Sequence, residues 1–261
     1  MTQPILQSRL PFACWMDPKT ARLPGILPLE ADDWLRMDDA FAGQMAERDR
    51  LIAARPDQVL GMLDSACPAA EELYAMVLAR LARTAGYRVG QTEVQRPDGV
   101  IVPLDPVQPP MRTLGRLVQE DLCLLEKQGD EHVLTAAALC FPASWWLGEK
   151  LGRPLLGIHV PVASYDADVA RRVQRLFDAI RPEQPLWRAN ALIYVDPTLH
   201  QPRRENAPRT DRRGGSYVRS ERQCLVRLPQ TRAVLFSIHT YVVPLAALSP
   251  EDRSGLVAAQ S

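Results

Sequence analysis

The sequence has no excess of charge of either sign, since its 261 residues include 31 lysines and arginines and 31 aspartates and glutamates. A chain with this balance has no overall field that draws it to nucleic acid or to an anionic membrane, so we expect neither partner. No apolar run approaches the roughly 20 residues that span a bilayer. The first residues lack the basic and then apolar pattern of a signal peptide. We therefore expect a cytoplasmic protein.

The five cysteines are far apart, and no two of them have C-x-x-C spacing. This pattern argues against structural zinc, a covalently attached c-type haem and an iron–sulfur cluster, and it favours reduced thiols. Cys123 and Cys140 lie in apolar runs, where burial should raise the thiol pKa. The sequence also lacks G-x-S-x-G, a Rossmann glycine motif and a P-loop, so acyl transfer, dinucleotide binding and nucleotide triphosphate binding have little support.

Helical spacing dominates the first third of the chain, and strand-like spacing dominates the remainder. Residues 1–28 are proline-rich but too apolar for a free tail, and we interpret them as an irregular, ordered arm. Residues 29–86 have helical periodicity, whereas residues 87–247 consist mainly of strand patterns and precede a short C-terminal helix. Because βα alternation is missing, we predict one α+β domain over 29–261, with an antiparallel sheet and N-terminal helices packed on or beside it.

Three stretches have clear local patterns. A helix is predicted over 29–55, and a hairpin is predicted to turn at 128–130. The run "LLGIHVPV" at 155–162 has the alternation of a strand. The apolar stripe of the first of these elements contains Trp34, Met37, Phe41 and Met45.

The sequence contains only four histidines, and two of them have surroundings that suit a ligand. In its predicted strand, His159 lies on the same face as Gly157, which leaves room for a flat group. The alternative is a core histidine whose nitrogens are hydrogen-bonded. His132 begins the second hairpin strand and shares a face with Ala136 and Ala138, which suits either a cavity or a closely packed helix.

The other two histidines and the acidic residues near the hairpin have simpler interpretations. His200 lies in a loop pattern and is expected to be exposed, and His239 is expected on the wetter face of its strand. The carboxylates that bracket the hairpin are interpreted as a solvated edge. These are Glu120, Asp121, Glu126 and Glu131.

The stretch "PRRENAPRTDRR" is strongly basic although the whole chain is neutral. A flexible, solvated loop is the ordinary interpretation of such a run. The alternative is a docking site for an acidic partner, because local charge steers association even at zero net charge. We call residues 203–213 the arginine loop; its arginines are Arg203, Arg204, Arg209, Arg212 and Arg213.

Several short sequence motifs, which we call words, occur in this chain in the same order as in the haem-dependent oxidative N-demethylase alpha-subunit family, which the chain therefore resembles. They are Q-E-D-L-C-L-L, H-x-L-T-A-A-x-L-C-F-P-x-x-W, E-K-x-G-x-P-L, I-H-x-P-V, E-R-Q-x-L-x-R-L-P and T-Y-x-x-P. The helical half, with "LPGILPLEADDWLRMDDAF", has the pattern of the same family. The resemblance therefore covers nearly the whole chain.

The resemblance implies a PAS-like α+β domain that binds non-covalent haem b through a histidine. In the characterised branch of the family, dioxygen is activated at the iron, and dimethylamine is demethylated to methylamine and formaldehyde. Electrons come from NADPH through separate reductase components, which carry FMN and a 2Fe-2S cluster. The lack of a cluster-binding cysteine pattern here agrees with a chain that is only the haem-bearing component.

Together with the residues above, the resemblance predicts His159 as the iron ligand, with Gly157 beside it and His132 as the alternative ligand. Arginine matches a carboxylate through two parallel hydrogen bonds, so three arginines are candidates for binding the haem propionates. These are Arg219, Arg222 and Arg227. Candidates for the distal pocket are Glu221 and Tyr241, to which we assign catalytic roles, and Tyr165.

Three positions depart from the family words. Ala191 replaces the tryptophan of R-x-N-W, Ala163 replaces a proline after I-H-x-P-V, and His239 stands where an arginine is expected. Such changes leave open an altered pocket with another substrate. Two other functions also stay open: a non-catalytic haem sensor, and a relative that has lost haem.

Overall fold

The computed structural model describes residues 3–21, 24–159, 167–208 and 211–260, without the side chains of His159 and of residues 167–170. Its helices are α1 (Pro18–Ala21), α2 (Phe41–Ala54), α3 (Pro56–Val59), α4 (Cys67–Leu81), α5 (Pro110–Gly115), α6 (Leu147–Lys150), α7 (Leu155–His159), α8 (Ala167–Ala179) and α9 (Pro250–Gln260). Its strands are β1 (Leu27–Pro28), β2 (Leu60–Met62), β3 (Arg88–Val89), β4 (Glu93–Gln95), β5 (Ile101–Pro103), β6 (Asp121–Gln128), β7 (Glu131–Ala138), β8 (Leu186–Tyr194), β9 (Tyr217–Arg227) and β10 (Val234–Pro244). Within the described ranges, every helix is too short or too polar to cross a lipid bilayer.

The described strands form one large and one small antiparallel sheet. The large sheet has the order β1-β8-β9-β10-β6-β7-β2. Its five long strands, β6 to β10, are the last five described strands in the sequence. The small sheet consists of β3, β4 and β5. This mixture of helices with a large antiparallel sheet confirms the predicted α+β class.

The helix predicted over 29–55 is wrong in its first part, because α2 begins only at Phe41. The residues before it form turns, and Met37 of the predicted stripe is 46% exposed. The backbone N–H of Arg36 donates to Glu120 Oε1 at 2.7 Å, far along the chain. A tertiary hydrogen bond of this kind replaces the helical one, which local periodicity does not reveal.

The strand predicted around His159 is also wrong, because this residue ends the short helix α7. The backbone N–H of Ile158 donates to the carbonyl oxygen of Pro154 at 2.9 Å. A proline directly before the helix favours this start, since its φ is already close to the helical value. The hairpin, in contrast, is confirmed: β6 and β7 meet at Gly129, whose φ of 61° suits a glycine.

Residues of the large sheet alternate between two faces, which pack against different helices. One face, which we call the α4 face, packs against α4 and includes Leu122 and Leu235. The other, which we call the α8 face, packs against α7 and α8 and includes Cys123 and Leu225. The register therefore decides which helix each side chain contacts.

A β-bulge in the hairpin changes these assignments along β7. Leu134 pairs with Leu125 and belongs to the α8 face, whereas Ala136 pairs with Leu124 and belongs to the α4 face. The prediction that His132 shares a face with Ala136 is therefore wrong. Strict alternation fails here because the bulge inserts one extra residue.

The α4 face holds a buried charge cluster around His239. Its Nδ1 lies 2.8 Å from Glu120 Oε1, and its Nε2 lies 2.9 Å from Asp38 Oδ2. His239 and Glu120 are each 1% exposed, so the wetter face predicted for the histidine is wrong. Asp121 is equally buried and pairs with Arg48 at 2.7 Å. The predicted solvated edge is therefore wrong for Glu120 and Asp121.

The two carboxylates keep the imidazole protonated. Burial alone would lower the pKa of His239, but the charge of Glu120 and the hydrogen bond to Asp38 outweigh it and raise the pKa to about 9. A raised pKa in the folded state means that the contribution to stability is complete below the ordinary value of 6.5. It is lost as the pH rises through about 9.

We predict that the free energy of unfolding falls by about 3 kcal/mol between pH 6 and pH 10, as His239 loses its proton. Urea unfolding at a series of pH values measures this dependence. His239→Gln should be less stable at neutral pH, because two buried carboxylates lose their cation, and it should show a much weaker decline. His239→Arg keeps a permanent charge and serves as the matched variant. An unchanged decline in both variants would contradict the assignment.

Candidate functional site

Two of the family words meet on the α8 face, where they form a polar patch. In the register between β8 and β9, Arg188 lies opposite Gln223, and Asn190 lies opposite Glu221. These four side chains are half-buried. On the other side of β9, Thr240 lies opposite Glu221, and its buried hydroxyl has no hydrogen-bond partner within the described chain. We call these five residues the polar patch.

The carboxylate of Glu221 is held in place by its neighbours. Its Oε2 accepts hydrogen bonds from Gln223 Nε2 at 3.1 Å and from Asn190 Nδ2 at 3.4 Å. Arg219 Nε lies 3.5 Å from its Oε1. The side chain of Glu221 is 13% exposed, so its oriented carboxylate is partly accessible at the surface of the patch.

Arg188 has the opposite charge and lacks such a partner. Its Nε is buried, and no acceptor among the described residues takes a hydrogen bond from it. Burial lowers the pKa of Arg188, while the charges of Cys14 and Glu221 act weakly against this effect. Sequence reasoning missed this residue as a candidate, although it begins the R-x-N word.

Apolar side chains adjoin the polar patch on the same face. Leu186, Phe236 and Ile158 of α7 are half-buried, and each packs against the buried cluster that includes Phe177 of α8. Among the described residues, the atoms nearest to a Cβ added at Gly157 belong to Pro154 and Arg153, at 3.6–3.8 Å, which is ordinary contact and does not by itself require a glycine. The predicted slot beside it stays a prediction.

His159 is placed by its backbone alone, at the end of α7. The carbonyl oxygen just before it, on Ile158, accepts a hydrogen bond from Lys150 Nζ at 2.7 Å. The same ammonium donates to Glu205 Oε1 at 2.6 Å. The end of α7 is therefore tied to the arginine loop. Tyr165 and Ala163 lie outside the described residues.

His132, the alternative ligand, has the wrong tautomer in this structure for binding iron through Nε2. Its backbone N–H donates to Gln174 Oε1, which fixes the amide so that Gln174 Nε2 donates to His132 Nδ1 at 2.7 Å. With Nδ1 accepting, a neutral imidazole carries its proton on Nε2. The ring also packs against Phe177 and is fully buried.

His200 has the opposite tautomer and is half-buried rather than exposed as predicted. Its Nδ1 lies 2.8 Å from the carbonyl oxygen of Cys140, which can only accept, so Nδ1 carries the proton. Its Nε2 is buried and has no hydrogen-bond partner in the described chain. A carbonyl-bound Nδ1–H with a bare Nε2 is the state in which a histidine binds a metal.

The three arginines predicted to bind propionates already have protein partners. Arg222 donates to the backbone oxygen and the carboxylate of Asp33, both at 2.7 Å, on the α4 face. Arg219 and Arg227 donate to carbonyl oxygens, namely those of Leu199, Phe141, Phe177, Ile180 and Arg232. Propionate binding by these residues stays a prediction that would require these bonds to be exchanged.

The two residues predicted to be catalytic lie on opposite faces of the sheet. Tyr241 pairs with Ser220, one position away from the pair of Glu221 with Thr240. The ring of Tyr241 lies 5.7 Å from that of Phe12 on the α4 face, and burial raises its pKa to about 12. The sheet thus brings only Glu221 into the polar patch.

Two of the three departures from the family words lie away from the patch. Ala191 packs with the cluster around Val218 on the opposite face, and His239 belongs to the charge cluster there. The third departure is outside the described residues. The residues that the R-x-N and E-R-Q words contribute to the polar patch are therefore the same as in the family motifs.

The cysteines and the arginine loop mostly follow the sequence interpretation. All five cysteines are free, and burial raises the pKa of Cys140 to about 12. In the loop, Arg204 and Arg213 are exposed, whereas Arg203 and Arg212 are half-buried. Arg209 lies outside the described residues.

The residues around the patch fit a haem. This group is bound by apolar walls and by an axial ligand such as histidine, and its propionates are suited to hydrogen bonds from a cation. The α8 face offers Leu186 and Phe236 beside the cation of Arg188, and α7 ends in a histidine. In the described ranges, no group of three or more histidine, cysteine or acidic side chains is placed to hold a metal ion. Haem iron requires only one protein ligand.

A sequence model described as "haem-dependent oxidative N-demethylase, alpha subunit-like" matches residues 25–260. The match includes the large sheet, the charge cluster and the polar patch. It confirms the resemblance drawn from the sequence words. The chain belongs to the haem-dependent oxidative N-demethylase alpha-subunit-like family.

Proposed function

We propose that the protein is the haem-bearing component of an oxygenase that demethylates a small secondary amine, such as dimethylamine. The observation that carries the proposal is the meeting of the R-x-N and E-R-Q words in one half-buried patch with an oriented carboxylate. Family membership supports haem dependence. The cofactor in this proposal is non-covalent haem b, held by His159.

The order of the five long strands supports a PAS-like domain. Numbered along the chain, β6 to β10 lie in the spatial order second, first, fifth, fourth and third. The helices α6, α7 and α8 lie between the second and the third of these strands. This order supports the proposal of a PAS-like haem domain, in which the haem would lie between these helices and the sheet.

In the proposed reaction, dimethylamine, dioxygen, two electrons and two protons become methylamine, formaldehyde and water. A C–H bond of one methyl group becomes a C–O bond, and the C–N bond then breaks. Bound haem supplies the activation of dioxygen. The protein binds the substrate and orients it: Glu221, fixed by Asn190 and Gln223, would hold the ammonium group near its carboxylate.

The partners in the proposal are dioxygen, the amine and reductase components that carry FMN and a 2Fe-2S cluster and receive electrons from NADPH. We place the protein in the cytoplasm, where free thiols such as these persist. The exposed Arg204 and Arg213 of the arginine loop would dock an acidic electron donor. Through Glu205 and Lys150, this loop is connected to the end of α7.

A haem sensor without turnover is the second candidate function. A sensor would need the same haem pocket but no carboxylate of the protein to bind an amine substrate. The carboxylate of Glu221, which is oriented by hydrogen bonds, therefore favours the enzyme. A relative that has lost haem is the third. An absorption spectrum separates the third candidate from the first two, and turnover with a reductant separates enzyme from sensor.

We predict a Soret band in protein produced with sufficient iron and haem precursor. His159→Ala should abolish or strongly shift this band without unfolding the chain, because the iron loses its protein ligand. His132→Ala and His200→Ala are the matched variants, and both should keep the band. A band that survives in His159→Ala and disappears in one of the others would move the ligand to that residue.

We predict that Glu221→Gln raises the KM for dimethylamine about tenfold while kcat changes less, because a charged hydrogen bond to the ammonium group is lost. Formaldehyde release with an artificial reductant measures both constants. Glu93→Gln, on the small sheet, is the control. A screen of mono-, di- and trimethylated amines that yields no formaldehyde from haem-loaded protein would favour the sensor.

We predict that the double variant Arg204→Glu/Arg213→Glu is reduced by its electron donor about tenfold more slowly at low salt. The difference should shrink as ionic strength rises, because it arises from the association rate. Stopped-flow reduction at several salt concentrations tests this. Arg88→Glu, an exposed change on the small sheet, is the control. Reduction that responds neither to salt nor to charge reversal would remove the docking role.

A further inference from the structure

We propose that Arg188 binds a propionate of the haem, a role that sequence reasoning gave to three other arginines. The inference rests on the proposed function, because it requires that haem occupies the α8 face. It is carried by three features of the residue: its lack of an acceptor, its position in the sheet and its apolar neighbours.

The first feature is the lack of an acceptor. The buried Arg48 and Arg96 donate to carboxylates, Arg48 to Asp121 and Arg96 to Asp98, both at 2.7 Å, whereas the buried Arg219 and Arg227 donate to carbonyl oxygens. Arg188 has a buried Nε and no described acceptor. Arg188 is half-buried, and a guanidinium whose buried N–H has no acceptor carries a desolvation cost that a bound anion would offset, so this side chain suits an anion from outside the chain.

The nearest acidic side chain of the patch does not serve as this anion. Glu221 lies diagonally across from Arg188 in the pairing of β8 with β9. Its charge raises the pKa of Arg188 slightly against the effect of burial, but the two side chains form no ion pair. Glu221 Oε2 already accepts hydrogen bonds from Gln223 and Asn190, and the cation nearest to its Oε1 is Arg219, whose Nε lies 3.5 Å away. Arg188 therefore remains available for a ligand carboxylate.

The second and third features point to an anion at the rim of an apolar ligand. Strand β1 pairs with β8 only at Leu186 and Trp187, so Arg188 lies where the edge of the sheet becomes free. Towards the centre of the same face lie the half-buried Phe236 and the buried Leu225. A flat apolar ring over the centre with a carboxylate towards the edge matches this gradient, and haem has this form.

The test is a titration of apoprotein with haem and with haem dimethyl ester, whose propionates are esterified. Arg188→Gln should bind haem about 10- to 100-fold more weakly than the unmodified chain, since a charged hydrogen bond is lost. For the dimethyl ester, the two proteins should bind alike. Arg188→Lys keeps the positive charge but cannot form two parallel hydrogen bonds to a carboxylate, so its affinity for haem should lie between those of Arg188→Gln and the unmodified chain. Arg88→Gln is the control for removal of an arginine elsewhere.

Thermal unfolding of the apoproteins separates a binding role from a structural one. Removal of a half-buried cation whose buried Nε has no acceptor should leave the Tm of Arg188→Gln unchanged or raise it. A lowered Tm, or equal weakening for haem and its ester, would show a structural role and overturn the inference. Equal haem affinity in Arg188→Gln and the unmodified chain would overturn it as well. Failure of the unmodified chain to bind haem would instead overturn the proposed function.

Discussion

The register of β9 against β8 and β10 is the constraint on which the rest of the structure depends. Because side chains alternate with a period of two, a shift by one residue would exchange everything on the two faces. Neighbours within one sequence word therefore have different tasks. Glu221 belongs to the polar patch on the α8 face, whereas Arg222 binds the carboxylate of Asp33 on the α4 face. One word thus supplies a member of the polar patch and an anchor for the segment that contains Asp33.

The anchoring side is rich in charge that is paired within the protein. His239 lies between Asp38 and Glu120, and Arg48 pairs with Asp121. Buried ions are expensive to desolvate, so they contribute only when the geometry satisfies both partners, and removal of one partner is strongly destabilising. These contacts join residues that are distant in sequence and hold the segment before α2 on the sheet. They therefore fix the framework that carries the patch on the other face.

The sequence predicted the elements whose signals are local and missed those whose signals are not. The hairpin at 128–130, the mainly strand-like character of residues 87–247 and the short C-terminal helix follow from turn residues and periodicity, and the structure has them. The turns before Phe41 depend on Glu120, which belongs to another part of the chain, so periodicity alone extended α2 too far. For the site, the words identified Glu221, but Arg188 became a candidate only when the ladder placed it and no acceptor was found.

The distribution of the departures from the family words separates stability from chemistry. An arginine at position 239 would carry a permanent charge between the two carboxylates, whereas His239 carries one that is lost near pH 9. Histidine in place of arginine at position 239 therefore changes the pH range over which the charge cluster stabilises the fold. This cluster lies on the α4 face, opposite the polar patch. Ala191 likewise packs against the cluster that includes Val218, on that same face, rather than beside Glu221. The polar patch keeps Arg188, Asn190, Glu221 and Gln223, so the departures at positions 191 and 239 change the framework of the sheet rather than the patch.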